Sequence, residues 1–200
     1  MGGCRMSDLF QTDDASTPLS EEEKSDLIPS YITFRDELNA VEQSNILEAE
    51  RAYFIRKPKT VLEINFLKKL HKQMFANVWK WAGNFRKTAR NIGVDAFLIQ
   101  TELKKLVDDV HFWIEQGTYP PDEIATRFHH RLVWIHPFPN GNGRHARLAT
   151  DLLLRQLGQA RFTWGSVTLT SMNDTRTAYV QALQKADKGD ISALLAFVRS

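Results

Sequence analysis

Twelve residues of this 200-residue chain, His136-Pro-Phe-Pro-Asn-Gly-Asn-Gly-Arg-His-Ala-Arg147, constrain its fold more than any other stretch. Before them, Ala125, Phe128, Leu132 and Ile135 recur at helical spacing. Pro137 disfavours helical geometry at His136, so one helix stops there. After them, an amphipathic pattern runs from Arg144 to Leu157. Between the two helices lies Asn140-Gly141-Asn142-Gly143, whose glycines permit positive φ and the close approach of a ligand. Phe138 is apolar in an otherwise polar turn, and we expect it to anchor the loop in the core.

Such a loop, running into a helix N-terminus, offers free N–H groups and the positive end of the helix dipole, which together suit an anion. Arg144 and Arg147 are three apart and share a helix face. Cations in a first turn oppose the dipole, a cost that makes sense if a polyphosphate lies between them. A histidine titrates near neutral pH and can take a proton from a hydroxyl; His136 supplies one here. Base, phosphate nest and arginine pair together suit in-line transfer from a nucleoside triphosphate. Taken singly, each has a plainer reading. A histidine at a helix end is a cap or a core residue, and Gly-Asn-Gly is a turn.

The rest of the chain reads as helices. Leu38, Val41, Ile46, Ala49, Tyr53 and Phe54 recur at roughly helical spacing from Thr33 to Arg56, and Pro58 ends that run. Val61 to Trp81 carries Leu62, Phe66, Leu67, Leu70 and Met74 on one face, and Ala82-Gly83-Asn84 breaks it. Phe85 to Leu98 is irregular, compatible with a small hairpin. Thr101 to Gln116 is helical, with Thr101 as a candidate cap, and Pro120-Pro121-Asp122 starts the helix that ends at His136. Thr170 to Ala186 and Ile191 to Arg199 complete the set. No repeat is visible, and the fold class expected is all-α.

Size and charge add bounds. The chain suits one domain, or one domain with an appendage. Residues 1–27 are polar and read as a flexible leader, 28–57 as an N-terminal helical segment, and 58–200 as the core domain. Residues 1–30 hold seven acids and two bases, which leaves a balance of +7 for the remainder of a chain whose net charge is +2. A basic body suits a phosphorylated small molecule or a polyanion, or is an ordinary solvated surface. The single cysteine, Cys4, excludes an internal disulfide framework. No apolar run approaches a membrane span, and no signal core is visible, so a cytoplasmic protein without a membrane partner is expected.

The twelve-residue segment resembles the signature of the Fic/DOC family, His-Pro-Phe-x-x-Gly-Asn-Gly-Arg-x-x-Arg, at all eight specified positions. The likeness extends to Trp81-Ala-Gly-Asn-Phe-Arg86, to Arg176-Thr-Ala-Tyr179-Val-Gln-Ala-Leu183 and to Gly189-Asp190, covering about residues 31 to 199. The layout also resembles the subgroup called mobile mystery protein B. The resemblance implies a helical bundle with a small β-hairpin flap, near Arg90 to Ile99, on which a target protein docks. It implies a protein adenylyltransferase that moves AMP from ATP to a target hydroxyl with the help of Mg²⁺. His136 would be the base and Phe138 the loop anchor. Gly141, Asn142 and Gly143 would cradle the α- and β-phosphates, with Arg144 on the β-phosphate and Arg147 on the γ-phosphate. Asn173 and Tyr179 are candidates for contact with the adenine.

Two features qualify that picture. Family members that transfer AMP usually carry Asp or Glu at position 140 as a metal ligand. Asn140 offers a neutral carbonyl instead, a weak ligand for a hard cation. A phosphotransferase, or a catalytically weak nucleotide-binding module, therefore stays open beside AMP transfer. Second, Thr33-Phe-Arg-Asp-Glu37 partly matches the family's inhibitory motif, in which the Glu pairs with the second arginine of the loop. Glu37 against Arg147 is thus expected to restrain the enzyme from an N-terminal helix. The equally simple reading puts Glu37 in a helix first turn, where acids are favoured. Other classes fit less well. His111, His129, His130 and His145 lack the companions of a zinc site. The turn before Arg144 is not that of a helix-turn-helix, so no nucleic-acid partner is expected. Target and oligomeric state are not legible.

Overall fold

The computed structural model describes residues 25–56, 58, 60–89, 92–166 and 172–200, the side chains of Met172 and Asn173 excepted. Among the described residues seven α-helices follow one another: α1 Arg35–Arg56, α2 Ile64–Phe75, α3 Ile99–Gln116, α4 Pro121–Ile135, α5 Asn142–Gln156, α6 Met172–Asp187 and α7 Ser192–Val198. Leu27 and Trp79 form an isolated antiparallel β-bridge. None of the described helices is long and apolar enough to cross a membrane.

Helix α5 is the centre of the arrangement. Ten of its 15 residues are buried, including Ala146, Ala149, Leu153 and Leu154 on different faces. A helix wrapped on all sides in this way belongs inside a bundle. Helices α4, α2 and α1 pack against it, with α3 behind α4 and the α6–α7 pair closing the far side. Since the loop after His136 feeds directly into α5, the loop is held in the middle of the fold.

Local signals place α3 and α4 well. Gly117 closes α3 in the left-handed conformation, φ +59°, as expected at a helix C-terminus. Pro121 opens α4 at its first position, where no N–H is needed. Helix α3 starts at Ile99, two residues before Thr101, and no side chain caps it; the expected Thr101 cap is not used.

Two expectations give way to tertiary structure. Helix α2 stops at Phe75, six residues before Trp81. Asn45 of α1 donates to the Met74 carbonyl (3.0 Å), and Asn77 donates to Asn45 (2.9 Å). The chain then passes through turns beside residues 26–28, with Ile28 donating to Val78 (2.9 Å) and Lys80 to Asp26 (3.0 Å). In the flap region Arg90 and Asn91 lie outside the described residues, and the residues described there form no hairpin. Their two arms bond to the α4–α5 junction instead, through Arg86 N–H to the Pro137 carbonyl (3.0 Å) and Val94 N–H to the Ile135 carbonyl (3.3 Å). Ala96–Leu98 is already a 3₁₀ turn leading into α3.

Candidate active site

His136 closes α4 with φ +53° and ψ +60°. This left-handed conformation is costly for a residue with a Cβ and is commonly taken by glycine. Its N–H still donates to the Leu132 carbonyl (3.3 Å). Its own carbonyl accepts from Arg86 Nε (2.7 Å). The backbone therefore turns sharply at His136 and leaves the partly exposed imidazole at the rim of the loop.

Phe138 is fully buried, as expected of an anchor. His71 of α2 stacks on it, with ring centroids 3.7 Å apart and planes 15° from parallel. The same imidazole is wired on both sides. Gly83 N–H donates to its Nδ1 (3.0 Å), so the proton resides on Nε2, which donates to the Asn140 carbonyl (3.1 Å). Burial holds His71 well below the usual histidine range, so it stays neutral and keeps that tautomer. His71 is a loop-positioning residue that the sequence reading passed over, because nothing in its neighbourhood, Leu70-His71-Lys72, marks it.

The Asn142 side chain closes the loop on itself. It accepts from the Phe138 N–H and donates to the Phe138 carbonyl, both at 2.8 Å, and is 3% exposed. Its amide therefore braces the turn, which leaves the backbone of α5's first turn for any anion. The two glycines divide their work. Gly141 caps α5 at φ +75°, and a Cβ there would lie 2.4 Å from the Phe75 ring. Gly143 is helical, and a Cβ there would meet nothing within 4 Å. One glycine is required by conformation and packing; the other leaves space open.

The arginines are held from opposite sides. Arg144 donates from Nη1 to Glu42 of α1 (2.6 Å), whose other oxygen accepts from the Trp79 indole (2.5 Å). Glu42 is 2% exposed. Arg147 lies over the ring of Tyr179, 4.7 Å from the centroid, and reaches its hydroxyl. Arg147 Nε is buried and finds no hydrogen-bond partner among the described residues. A buried guanidinium donor without an acceptor is a natural place for an anion.

Tyr179 corrects an expectation. It is fully buried, so it is not a surface for a base to rest on. Its hydroxyl lies 2.8 Å from His129 Nε2, and burial pushes its phenol up to about 12. It supports Arg147 from beneath. The Asn173 side chain lies outside the described residues. Glu37 corrects another. It is exposed, and its Oε2 accepts from the backbone N–H groups of Thr33 (3.0 Å) and Phe34 (3.2 Å). These bonds depress its pKa and spend the carboxylate on capping its own helix, away from Arg147.

The donors for a cation are few. Asn140 is exposed, and its Oδ1 accepts from Gly141 N–H (2.6 Å). Among the described residues no three acidic, histidine or cysteine side chains gather as a metal site. Among the described residues the side chains near Asn140 do not by themselves make a Mg²⁺ site.

Comparison with known proteins agrees with this geometry. Residues 61–154 match the model of the Fic/DOC family. "Protein adenylyltransferase fic-1" of Caenorhabditis elegans is 30% identical over 145 residues, 68% of this chain and 26% of that protein. "Protein adenylyltransferase Fic" of Nematostella vectensis is 30% identical over 120 residues, 58% of this chain and 26% of that protein. The chain thus spans about a quarter of the length of the curated relatives it matches. The N-terminal Fic domain of a VirB-translocated Bep effector protein from Bartonella quintana, solved with bound ADP, superposes with a TM-score of 0.70. That match covers 96% of this chain and 93% of the other at 17% identity. With the signature loop seated between two helices as its residues require, the chain belongs to the Fic/DOC family.

Proposed function

We propose that this protein transfers AMP from ATP to a hydroxyl side chain of a target protein. The observation that carries the reading is the pairing of an orphaned donor with open space. Arg147 Nε is buried without a partner among the described residues, one turn from the unobstructed backbone at Gly143. The triphosphate would lie along the first turn of α5. The β-phosphate then meets Arg144 and the γ-phosphate meets Arg147. Backbone N–H groups of that turn would neutralise charge developing on the leaving group.

His136 would take the proton of the target hydroxyl as its oxygen attacks the α-phosphorus. The bond from that phosphorus to the α,β-bridging oxygen breaks, pyrophosphate leaves, and the target gains a phosphodiester to AMP. The target would be presented by the segment between Arg86 and Ile99. The curated relatives carry the name protein adenylyltransferase, which supports AMP over another transferred group. No step is assigned to Mg²⁺, since the side chain at Asn140 is neutral and engaged with Gly141.

Restraint by the N-terminal helix is part of the proposal. We assign it to Glu42, which occupies Arg144. Intact-protein mass spectrometry after incubation with ATP and Mg²⁺ tests the activity. The wild type should gain the mass of one adenylyl group on itself or on an added target, and His136→Ala should gain none. A phosphate-sized gain, or an equal gain in both proteins, would overturn it.

A further inference from the structure

A left-handed histidine must be held in place by something. A non-glycine residue in this conformation is strained, and His136 also stands at the carbonyl-rich end of α4, where the helix dipole is negative. Arg86 answers both demands. It is 4% exposed. Its Nε donates to the His136 carbonyl (2.7 Å) and Nη2 to the Ile135 carbonyl (3.4 Å), the last two carbonyls of the α4 terminus. A cation there satisfies acceptors that the helix leaves over.

The same guanidinium reaches the other way. Nη1 donates to the Thr88 carbonyl (3.0 Å), and Nη2 also donates to the Val94 carbonyl. Thr88 and Val94 belong to the two arms of the segment that passes over the site. Contact is closer still at Gly93, φ +95°. A Cβ there would sit 2.6 Å from His136 Cβ, 2.8 Å from Arg86 Nη2 and 3.0 Å from the Ile135 carbonyl. The backbone of the second arm therefore rests directly on the histidine.

We propose that Arg86 and Gly93 form a positioning joint: the seating of the segment around Thr88 and Val94 sets where the His136 imidazole stands. A planar fork with five donors can address four carbonyls on three chain segments, and an ammonium cannot. Gly93 permits contact without a side chain in between. Any target that presses on this segment then bears on the base. Arg86 and Gly93 touch neither nucleotide nor target hydroxyl in this arrangement, so they are positioning residues.

The inference rests on His136 being the base, so its test includes a readout independent of catalysis. Full-length protein labelled with ¹⁵N-histidine is compared as wild type, Arg86→Lys and Gly93→Ala, with the His136 imidazole signals assigned by their loss in His136→Ala. Both variants should shift the His136 ring signals and leave those of His130, 17% exposed on the outer face of α4 and bonded to Asp187, unmoved. The rate of adenylyl gain at saturating ATP should fall roughly 10- to 100-fold, the usual cost of a misplaced catalytic group, while ADP affinity by calorimetry is unchanged. Unmoved His136 signals in both variants would overturn the joint. So would a loss of ADP affinity in step with the rate, which marks general damage. Undiminished adenylyl gain in His136→Ala would instead overturn the role of the base, and the ring signals would still judge the joint.

Discussion

At the scale of single residues, the chain of donors behind Arg147 has one direction. A guanidinium only donates. The Tyr179 oxygen must therefore accept from it and pass its own proton to His129 Nε2, 2.8 Å away. His129 then carries its proton on Nδ1, towards Thr150 Oγ1 and the Ala146 carbonyl. Tyr179→Phe keeps the ring beneath Arg147 and removes the acceptor. We expect ATP affinity to drop about tenfold, or about 1.4 kcal/mol, with ADP affinity nearly unchanged, because Arg147 is assigned to the γ-phosphate. Calorimetric titration with both nucleotides decides; equal losses for the two would remove Tyr179 from that role. The sequence shows Tyr179 as an aromatic in a family-like stretch. It does not show that the ring points inward, since Ala178 and Val180 on either side are as apolar as any core pair. The loop residues were more legible. Pro137 and Gly141 act through backbone geometry alone, which is a local property.

At the scale of elements, α1 teaches what an apolar pattern leaves out. Its buried stripe is Leu38, Glu42, Asn45, Ala49 and Tyr53, evenly spaced by three and four. Reading only apolar positions substitutes Val41 and Ile46 for the two polar members. Yet Glu42 and Asn45 are where α1 meets the site and the end of α2. The end of α2 was hidden for the same reason, because Asn45 and residues 26–28 act from far away in sequence. The end of α3 and both ends of α4 were readable because Gly117, Pro121 and Pro137 mark them locally. The bonds that hold the flap arms were not legible because their partners, Ile135 and Pro137, lie forty or more residues on. Glu42→Gln keeps an acceptor for the Trp79 indole and removes the charge facing Arg144. Arg144 is 40% exposed, so solvent screens the pair, and its worth to phosphate binding is about 1 kcal/mol. We expect several-fold tighter ADP and ATP binding, with Glu37→Gly, at the solvent-facing start of α1, leaving both affinities as they are. Unchanged or weaker nucleotide binding by Glu42→Gln would show that Glu42 supports Arg144 and does not restrain it.

At the scale of the whole molecule, three neutral imidazoles lie inside the bundle. Burial lowers His129 to about 3 and His145 to about 4, and holds His71 well below the ordinary value. In the unfolded chain each titrates near 6.5. Below that pH the unfolded state binds more protons than the folded one, so stability falls as pH falls. Each group contributes a slope of about 1.4 kcal/mol per pH unit until its folded value is reached. Asp151 acts in the opposite sense above its ordinary value of 3.8, because burial raises its carboxyl, but one carboxyl offsets only part of the slope of three histidines between pH 7.5 and 5. Urea midpoints should be flat above about pH 7 and decline steeply towards pH 5; equal midpoints across that range would mean that these rings reach water.

The place of Gly141 against Phe75, under a loop that His71 and Asn142 also hold, has a consequence for motion. Enzymes draw their moving parts from the least stable portions of a fold. This loop has no such local weakness: Phe138, Gly141 and Asn142 are locked by packing and side-chain bonds against α2 and α5, and we expect the loop to open only when the bundle does. If the proposed function holds, the slow steps of turnover, such as product departure and the exchange of one target for another, fall to the segment that Arg86 ties down. The loop proposed as the phosphate cradle would itself act as a fixed die.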